Sequence, residues 1–113
     1  MIYDGNVEAA KAARVSLLEG APGSIDAGLD KTRSETLPEV RAISGNVGAI
    51  GLADRDNGRM SMITLWESED SMRASAQVAD QLRQRTADMS DQKIANVALY
   101  EVARAQTVAS ARA

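Results

Sequence analysis

Residues 45–79, GNVGAIGLADRDNGRMSMITLWESEDSMRASAQVA, decide the fold of this chain. Small apolar residues fill 47–53, and the tetrapeptide Arg-Asp-Asn-Gly at 55–58 supplies turn chemistry, because its Asn-Gly pair tolerates positive φ. Residues 60–66 then alternate between two apolar faces. Ser68, followed by two acidic residues, is typical of a helix N-terminus. The stretch therefore predicts a strand over 46–54, a tight turn, a strand over 59–67 and a helix from Glu69.

The remaining sequence adds a strand and a helix before this stretch and a strand after it. Residues 12–19 predict the first strand, and the Gly- and Pro-containing segment 20–23 ends it. A helix follows from a Ser24 cap, and Pro38 inside its pattern predicts a kink or break near 35–37. Its apolar stripe consists of Ile25, Leu29, Thr32, Thr36, Leu37, Val40 and Ile43. The second helix runs to about residue 87, with a stripe of Met72, Ser75, Ala79, Leu82, Thr86 and Met89, and the fourth strand covers 92–103.

Length and pattern together predict one folded domain. A chain of 113 residues is near the lower end of sizes that bury a comfortable core alone. We expect the domain over 12–103. Residues 1–11 are either a lead-in or an arm that lies on a neighbouring subunit, and 104–113 form a tail without a core pattern.

The composition excludes several classes of function. A net charge of −3 argues against nucleic acid or an anionic membrane surface as a partner. The absence of Cys and His removes the commonest metal ligands and acid–base groups, so neither a metal site nor a cofactor is predicted. Residues 1–11 lack the apolar region of a signal peptide, and no apolar run approaches membrane-spanning length. A cytoplasmic location is the resulting expectation.

The predicted order βαββαβ is the split-βαβ, ferredoxin-like arrangement, an α+β fold with a four-stranded antiparallel sheet. Its strands are apolar on both faces, although a sheet with one wet face should alternate apolar with polar residues. The third strand directs Met60, Met62, Thr64 and Trp66 to one face and Ile63 and Leu65 to the other. In the second strand, Ile50 and Leu52 oppose Val47, Ala49, Gly51 and Ala53, and in the fourth, Val97 and Leu99 oppose Ala98, Tyr100 and Val102.

Two helices can cover only one face of such a sheet. A second copy of the chain is the simplest cover for the other face, which predicts a homodimer packed sheet to sheet. A different protein partner on that face is the alternative.

The motif LWESEDSMRAS at 65–75 has a glycine-rich strand before it and an amphipathic helix and a strand ending in LYEV after it. In this combination it resembles the antibiotic-biosynthesis-monooxygenase type of dimeric α/β barrel, over about 13–103 and most specifically over 45–75. The resemblance implies a ferredoxin-like protomer, a homodimeric barrel and a small cavity between the helices and the sheet. Members of this type include cofactor-free oxygenases of aromatic polyketides and haem-degrading oxygenases, and many others have no assigned activity.

The catalytic residues that the resemblance implies are not retained. The polyketide oxygenases place an Asn four residues before the motif Trp and a Tyr six residues after it, where this chain has Met62 and Met72 around Trp66. Neither Met side chain can donate a hydrogen bond or move a proton. The haem degraders need a His on the second helix and a second Trp, and here there is no His and Ser75 stands at the Trp position.

Four residues remain as candidates for a ligand pocket, and each has a structural alternative. Trp66 is either the wall of a cavity, stacked on an aromatic ligand, or a core residue at the sheet edge. Met62 and Met72, with Met60, either line an adaptable apolar pocket or fill the core of a chain without Phe. Tyr100 either orients a substrate through its hydroxyl or packs across strands.

Three functions follow as hypotheses. The first is a monooxygenase-like protein that binds, or oxidises without a cofactor, a small hydrophobic or aromatic metabolite; whether it is an enzyme is left open. The second is a non-enzymatic, stress-responsive or accessory barrel protein. The third, an enzyme using flavin or haem without a His ligand, has no residue support. A cavity large enough for a bicyclic ligand favours the first hypothesis, and a cavity filled by Met62, Met72 and Leu82 favours the second.

Overall fold

The computed structural model describes residues 7–106 and contains one four-stranded antiparallel sheet in the order β2-β3-β1-β4. The strands are β1 (Ala12–Glu19), β2 (Asn46–Asp54), β3 (Arg59–Trp66) and β4 (Lys93–Glu101). The helices are α1 (Ser24–Lys31), a π-helical turn (Thr32–Thr36), α2 (Leu37–Arg41), α3 (Glu69–Ala74) and α4 (Ala76–Met89). This order confirms the predicted ferredoxin-like fold. No helix within residues 7–106 is long and apolar enough to cross a membrane.

The first helical region is continuous but irregular before Pro38. The N–H of Leu37 donates to the carbonyl of Thr32, five residues back, which widens Thr32–Thr36 into a π-helical turn. A kink or break was predicted near 35–37 because Pro38 lacks an N–H; the irregularity overlaps this position but begins three residues earlier, at Thr32, and the helical region is not broken. The predicted Ser24 cap is wrong. Ser24 is the first helical residue, and its Oγ donates to the carbonyl of Ala21 at 2.7 Å.

The second helical region is divided at Ser75 into α3 and α4. At its start, the N–H of Ser71 donates to the Oγ of Ser68 at 3.0 Å, which is the N-cap that the sequence predicted. Ser75 has φ −81° and ψ −7°, so the chain leaves regular helical geometry there for one residue. The division brings the carbonyl of Met72 within reach of side chains from the sheet.

Two glycines at turns adopt backbone conformations that side chains rarely allow. Gly45 has φ +89° and Gly58 has φ +63°. Gly58 closes the β2–β3 hairpin after a 3₁₀ turn over Arg55–Asn57, and a Cβ there would overlap the carbonyl oxygen of Gly20. The predicted tight turn is present, with positive φ at Gly58 and not at Asn57.

The core lies between the helices and one face of the sheet, in line with the predicted stripes. Leu18 and Met60 from the sheet pack against Ile25 and Ala87 from the helices. Neighbouring clusters join Trp66 to Met72 and Met62 to Leu37. Met89, predicted in the stripe of the second helix, is exposed, because it is the last residue of α4.

The back face, defined as the sheet face away from the helices, is apolar and only partly covered. Ile50 and Ile63 are half-buried there, whereas Leu52 is 53% and Tyr100 55% exposed. Leu65 is buried by the chain itself.

That cover comes from both ends of the described chain. At the first end, Val7 of the 3₁₀ turn Val7–Ala9 and the nearby Ala10 pack on the cluster of Ala13 and Leu65. At the other end, Val102, just after β4, packs on the same cluster. Residues 1–6 of the predicted arm and 107–113 of the predicted tail lie outside the described residues.

One predicted side-chain direction on the back face is wrong. Val47 was expected on the face of Ala49, opposite Ile50, but it packs against the back-face cluster of Leu65. The β2–β3 register shifts between Asn46 and Gly48, and such a bulge reverses the alternation at the residue that it inserts.

Candidate functional site

A cavity lies between the helices and the sheet, with a volume of about 50 Å³. Its apolar wall is made by Leu37, Val40, Met60, Met62, Trp66 and Leu82. Because a buried site needs roughly 10–15 Å³ per water centre, the cavity has room for a few water molecules at most. Drug-sized ligands occupy about 300–1,000 Å³, so a bicyclic compound fits only if side chains move.

Trp66 ends β3 and is 1% exposed. It lines the cavity and also packs on Ala12 and Met72. Its position is therefore compatible with both predicted roles, a cavity wall and a core residue. Its Nε1 donates to the Oγ1 of Thr64 at 3.0 Å, which satisfies the indole N–H. Trp66 and Thr64 point to the same side because they are two residues apart in a strand.

The other three predicted pocket residues are placed differently from one another. Met62 lines the cavity and packs against Leu37. Met72 is buried behind Trp66 and does not line the cavity. Tyr100 pairs with Ala13 across the β1–β4 ladder and lies on the back face, away from Trp66. The structure therefore brings Met62 and Trp66 together and separates Tyr100 from them.

Hydroxyl groups line the helical side of the cavity. The Oγ1 atoms of Thr36 and Thr86 are 2.6 Å apart, and this buried hydrogen bond joins the π-helical turn to α4. Thr32 also lines the cavity and is buried. The π-helical turn thus contributes polar groups to a cavity whose surface is otherwise mostly apolar.

Arg14, which the sequence reasoning did not single out, is the most unusual group in the cavity. It lies in the central strand β1 and is 4% exposed. Its Nη1 donates to the Oγ of Ser75 at 3.0 Å, and its Nη2 donates to the carbonyl of Met72 at 2.8 Å. The guanidinium carbon lies 5.8 Å from the ring centroid of Trp66, at the outer range of a cation–π contact.

A second arginine lines the same cavity from the helical side. The Nε of Arg83 donates to the Oγ of Ser16 at 2.9 Å, and its Nη1 donates to Asp80 Oδ1 at 2.8 Å. The Arg83 side chain is nearly buried, whereas that of Asp80 is largely in solvent. Arg83 therefore has a carboxylate partner, although a solvated one.

Arg14 has none. Within residues 7–106, no carboxylate forms an ion pair with Arg14, and its contacts are a hydroxyl, a carbonyl and a ring face. Burial lowers the pKa of Arg14, the charge of Arg83 lowers it further, and Asp80 acts in the opposite direction. A guanidinium nevertheless stays protonated at neutral pH, so the cavity contains a permanent positive charge.

A signal for Arg14 exists in the sequence. Arg14 has the same parity as Ser16 and Leu18 in a strand that a ferredoxin-like order places at the centre of the sheet. A charged residue on the helix side of a central strand is expected to be buried, and buried charges need a specific partner. The partners themselves, at 72 and 75, are not predictable from local pattern.

The described part of the chain offers no cluster for a metal. No group of three or more Asp or Glu side chains within residues 7–106 could hold an ion, and the chain has no His or Cys. The polar chemistry of the cavity is therefore that of arginine, threonine and serine side chains, which bind anions and accept or donate hydrogen bonds.

Comparison with known proteins gives relatives of unknown function. No protein-family profile matches the chain. Over 77 residues, the chain is 36% identical to the uncharacterised protein Rv2558 and 30% identical to the uncharacterised protein Rv2557, both of Mycobacterium tuberculosis. The aligned region is 68% of this chain but only 33% and 34% of those proteins, so the chain spans about a third of the length of the curated relatives it matches.

Solved structures share the fold over most of the chain. A monooxygenase from the gene ActVA-Orf6 of Streptomyces coelicolor, solved with the ligand Nanaomycin D, has a TM-score of 0.67 at 14% identity and covers 88% of this chain and 93% of its own. SnoaB, a cofactor-independent oxygenase from Streptomyces nogalater, has a TM-score of 0.57 at 20% identity, with coverages of 88% and 98%. A dimeric ferredoxin-like protein from an uncultured marine organism has a TM-score of 0.55 at 13% identity, with coverages of 88% and 94%.

These identities are low, so the likeness is one of fold. The chain has the ferredoxin-like fold found in antibiotic-biosynthesis monooxygenases and their relatives, as the motif at 65–75 predicted. The activities of those proteins do not transfer with it.

Proposed function

We propose that this chain binds a small hydrophobic or aromatic metabolite in the cavity between its helices and its sheet. The observation that carries the proposal is a mostly apolar cavity with Trp66 in its wall and the buried, carboxylate-free Arg14 beside it. Ligand sites in proteins are commonly concave and apolar, with a few polar groups that fix the orientation of the ligand.

The volume of about 50 Å³ limits how a ring can enter. Met60 and Met62 are the wall residues best suited to move, because methionine is unbranched and repacks around varied shapes. A monocyclic ligand is therefore the natural first class to test. Oxidation of the ligand without a cofactor is the corresponding enzymatic function, and it requires a substrate that supplies its own electron-rich carbanion.

The experiment uses the single tryptophan of the chain as a reporter. Phenol, benzamide and benzoate are titrated into the protein while the NMR signal of the Trp66 indole N–H is followed. We expect saturable shifts with at least one probe, with a Kd below about 1 mM for a ligand of this size. If no probe gives a saturable shift, the binding proposal is wrong.

Two alanines on α4 provide matched variants. Ala79 lines the cavity, and Ala76 is exposed. Ala79→Leu fills the cavity and should weaken binding by at least tenfold, whereas Ala76→Leu should leave it unchanged. Equal binding by both variants would place the ligand elsewhere and would contradict the proposal.

A second candidate function is a non-enzymatic accessory barrel without a ligand. The small cavity favours it, as do Met62 and Met72 at the positions where polyketide oxygenases have polar residues. Mass spectrometry of the native protein separates the two candidates: a co-purified small molecule supports binding, and repeated ligand-free preparations support the accessory role.

We also propose that the chain forms a homodimer through its back face. Leu52 and Tyr100 are both more than half exposed on that face, with Ile50 and Ile63 half-buried between them. Exposed contiguous apolar surface is typical of an interface, and a structural neighbour is described as a dimeric ferredoxin-like protein.

Sedimentation of two matched variants tests the dimer. Leu52→Lys introduces a charge on the back face, and Val78→Lys introduces the same charge at an exposed position of α4. We expect a dimer for the unaltered protein and for Val78→Lys, and a monomer for Leu52→Lys. A monomeric unaltered protein at micromolar concentration would contradict the dimer proposal.

A further inference from the structure

The charges around the cavity do not balance. Arg14 and Arg83 contribute two positive charges and Asp80 one negative charge, which leaves a net charge of +1 on these three groups. The chain as a whole has a net charge of −3, so the local excess is not a property of its composition. Isolated buried charges are costly, and proteins normally pair them.

The protein itself satisfies Arg14 only in part. A guanidinium has five N–H donors, and two hydrogen bonds from Arg14 are made within residues 7–106. The acceptor at Met72 lies in the last turn of α3, where a helix carries a partial negative charge of about half an elementary unit at most. Capping α3 is therefore a structural role for Arg14, but it does not neutralise the cation.

We propose that the ligand of this cavity is a small organic monoanion, and that Arg14 binds its carboxylate. The inference rests on the proposed binding function and adds the charge of the ligand to it. An arginine fork matches a carboxylate geometrically and can donate two parallel hydrogen bonds to it. The apolar wall of Met60, Met62 and Trp66 suits the uncharged part of the same molecule.

Arg83 is the second cation that such a ligand meets. Each arginine uses two of its five N–H donors within residues 7–106, but the charge of Arg83 already has a partner in Asp80, whereas Arg14 forms no ion pair there. Arg14 is accordingly the residue whose loss should remove the preference for an anion.

Benzoate and benzamide test the charge of the ligand, because they have nearly the same shape and differ by one negative charge. We expect the unaltered protein to bind benzoate at least tenfold more tightly than benzamide, as read from the Trp66 indole signal. Equal affinities would overturn the anion inference and leave the binding function standing. If neither probe binds, the binding function itself fails.

Three variants assign the preference to Arg14. Arg14→Gln should weaken the binding of benzoate at least tenfold and change the affinity for benzamide by less than threefold. Arg14→Lys should keep part of the preference for benzoate over benzamide. Arg73→Gln, at an exposed arginine of α3, should change neither affinity. A benzoate preference that survives in Arg14→Gln would overturn the role of Arg14. If Arg14→Gln does not fold, the benzoate-to-benzamide ratio in Arg14→Lys decides: an unchanged ratio contradicts a fork-like contact, and a reduced ratio supports it.

Discussion

Shortening Met62 to alanine tests both the packing of the cavity and its use. Met62 is buried and lines the cavity beside Leu37. Met62→Ala removes three heavy atoms, so the cavity should grow from about 50 Å³ by roughly 75 Å³, at about 25 Å³ per close-packed atom. Its final size approaches that of engineered cavities that bind benzene, which are about 150 Å³.

The cost in stability follows from two contributions. The enlarged cavity costs about 24 cal/mol per Å³, or roughly 1.8 kcal/mol. The lost transfer free energy of the three buried groups adds roughly 2.4 kcal/mol at about 0.8 kcal/mol each. The free energy of unfolding should therefore fall by about 4 kcal/mol, within the range of about 2–5 kcal/mol known for such substitutions.

Urea denaturation with Trp66 fluorescence measures this loss, and two methionines serve as controls. Met89→Ala, at a residue that is 48% exposed, should change the free energy of unfolding by less than about 0.5 kcal/mol. Met72→Ala should cost about as much as Met62→Ala, because Met72 is equally buried behind Trp66. If Met62→Ala leaves too little folded protein, Met62→Val removes one heavy atom and should cost about 1 kcal/mol.

Binding then distinguishes the cavity from the rest of the core. Met62→Ala should bind benzamide and benzoate about tenfold more tightly than the unaltered protein, because no side chain has to be displaced. Met72→Ala should not, since Met72 does not line the cavity. The reasoning is refuted if Met62→Ala costs less than 1 kcal/mol, or if Met72→Ala gains affinity and Met62→Ala does not.

Two further substitutions test the turn geometry and the buried polar groups. Gly58→Ala should lower the free energy of unfolding by about 2–4 kcal/mol, because φ is +63° and the new Cβ would overlap Gly20. Gly23 has φ −68° and open space around it, so Gly23→Ala should change the free energy of unfolding by less than about 0.5 kcal/mol. Equal effects in chemical denaturation would contradict this assignment of strain. Gln92→Met should raise the melting temperature and increase the free energy of unfolding by about 1–2 kcal/mol. The reason is that both side-chain polar atoms of Gln92 are buried beside Gly28 without a hydrogen-bond partner. A lower melting temperature for Gln92→Met would show that the amide is satisfied in solution.

Local pattern predicted the strands because their signals are local. The bounds of β1 and β2 agree with the prediction, since alternating apolar residues are bounded there by turn residues. Two departures are local as well, but they depend on backbone geometry that the residue pattern does not specify. Ser24 gives its hydroxyl to Ala21 and not to the helix N-terminus, and a bulge at β2 reverses Val47.

The division of the second helix, in contrast, involves a long-range contact. Residues 69–87 have a continuous helical pattern, and nothing near Ser75 in the sequence interrupts it. In the structure, the Oγ of Ser75 donates to the carbonyl of Met72 at 2.6 Å, and Arg14 donates to the same carbonyl. Competition for a backbone acceptor is a known way for serine to disturb a helix, but the arginine comes from a strand 58 residues away.

Three polar contacts that join different elements around the cavity are long-range in this sense. Arg14 meets Ser75 across 61 residues, Thr36 meets Thr86 across 50, and Arg83 meets Ser16 across 67. A residue's pattern fixes which face it occupies, but only the docking of helices on the sheet decides which polar groups become neighbours. For that reason the positions of Trp66 and Met62 were accessible to sequence reasoning, and the polar partners of the two arginines were not.

The positions of its polar residues also distinguish this cavity from the one implied by the resemblance to oxygenases at 65–75. The resemblance implies hydrogen-bonding side chains at the positions of Met62 and Met72, on β3 and α3, whereas here the charged groups come from β1 and α4. Methionine cannot polarise a phenol, but a buried guanidinium lowers the free energy of an anion next to it. Among the described residues, the cavity lining contains two arginines and no carboxylate. Saturable binding of either probe therefore separates a working site from a residual cavity, and the ratio of benzoate to benzamide affinity then shows whether the site uses its positive charge.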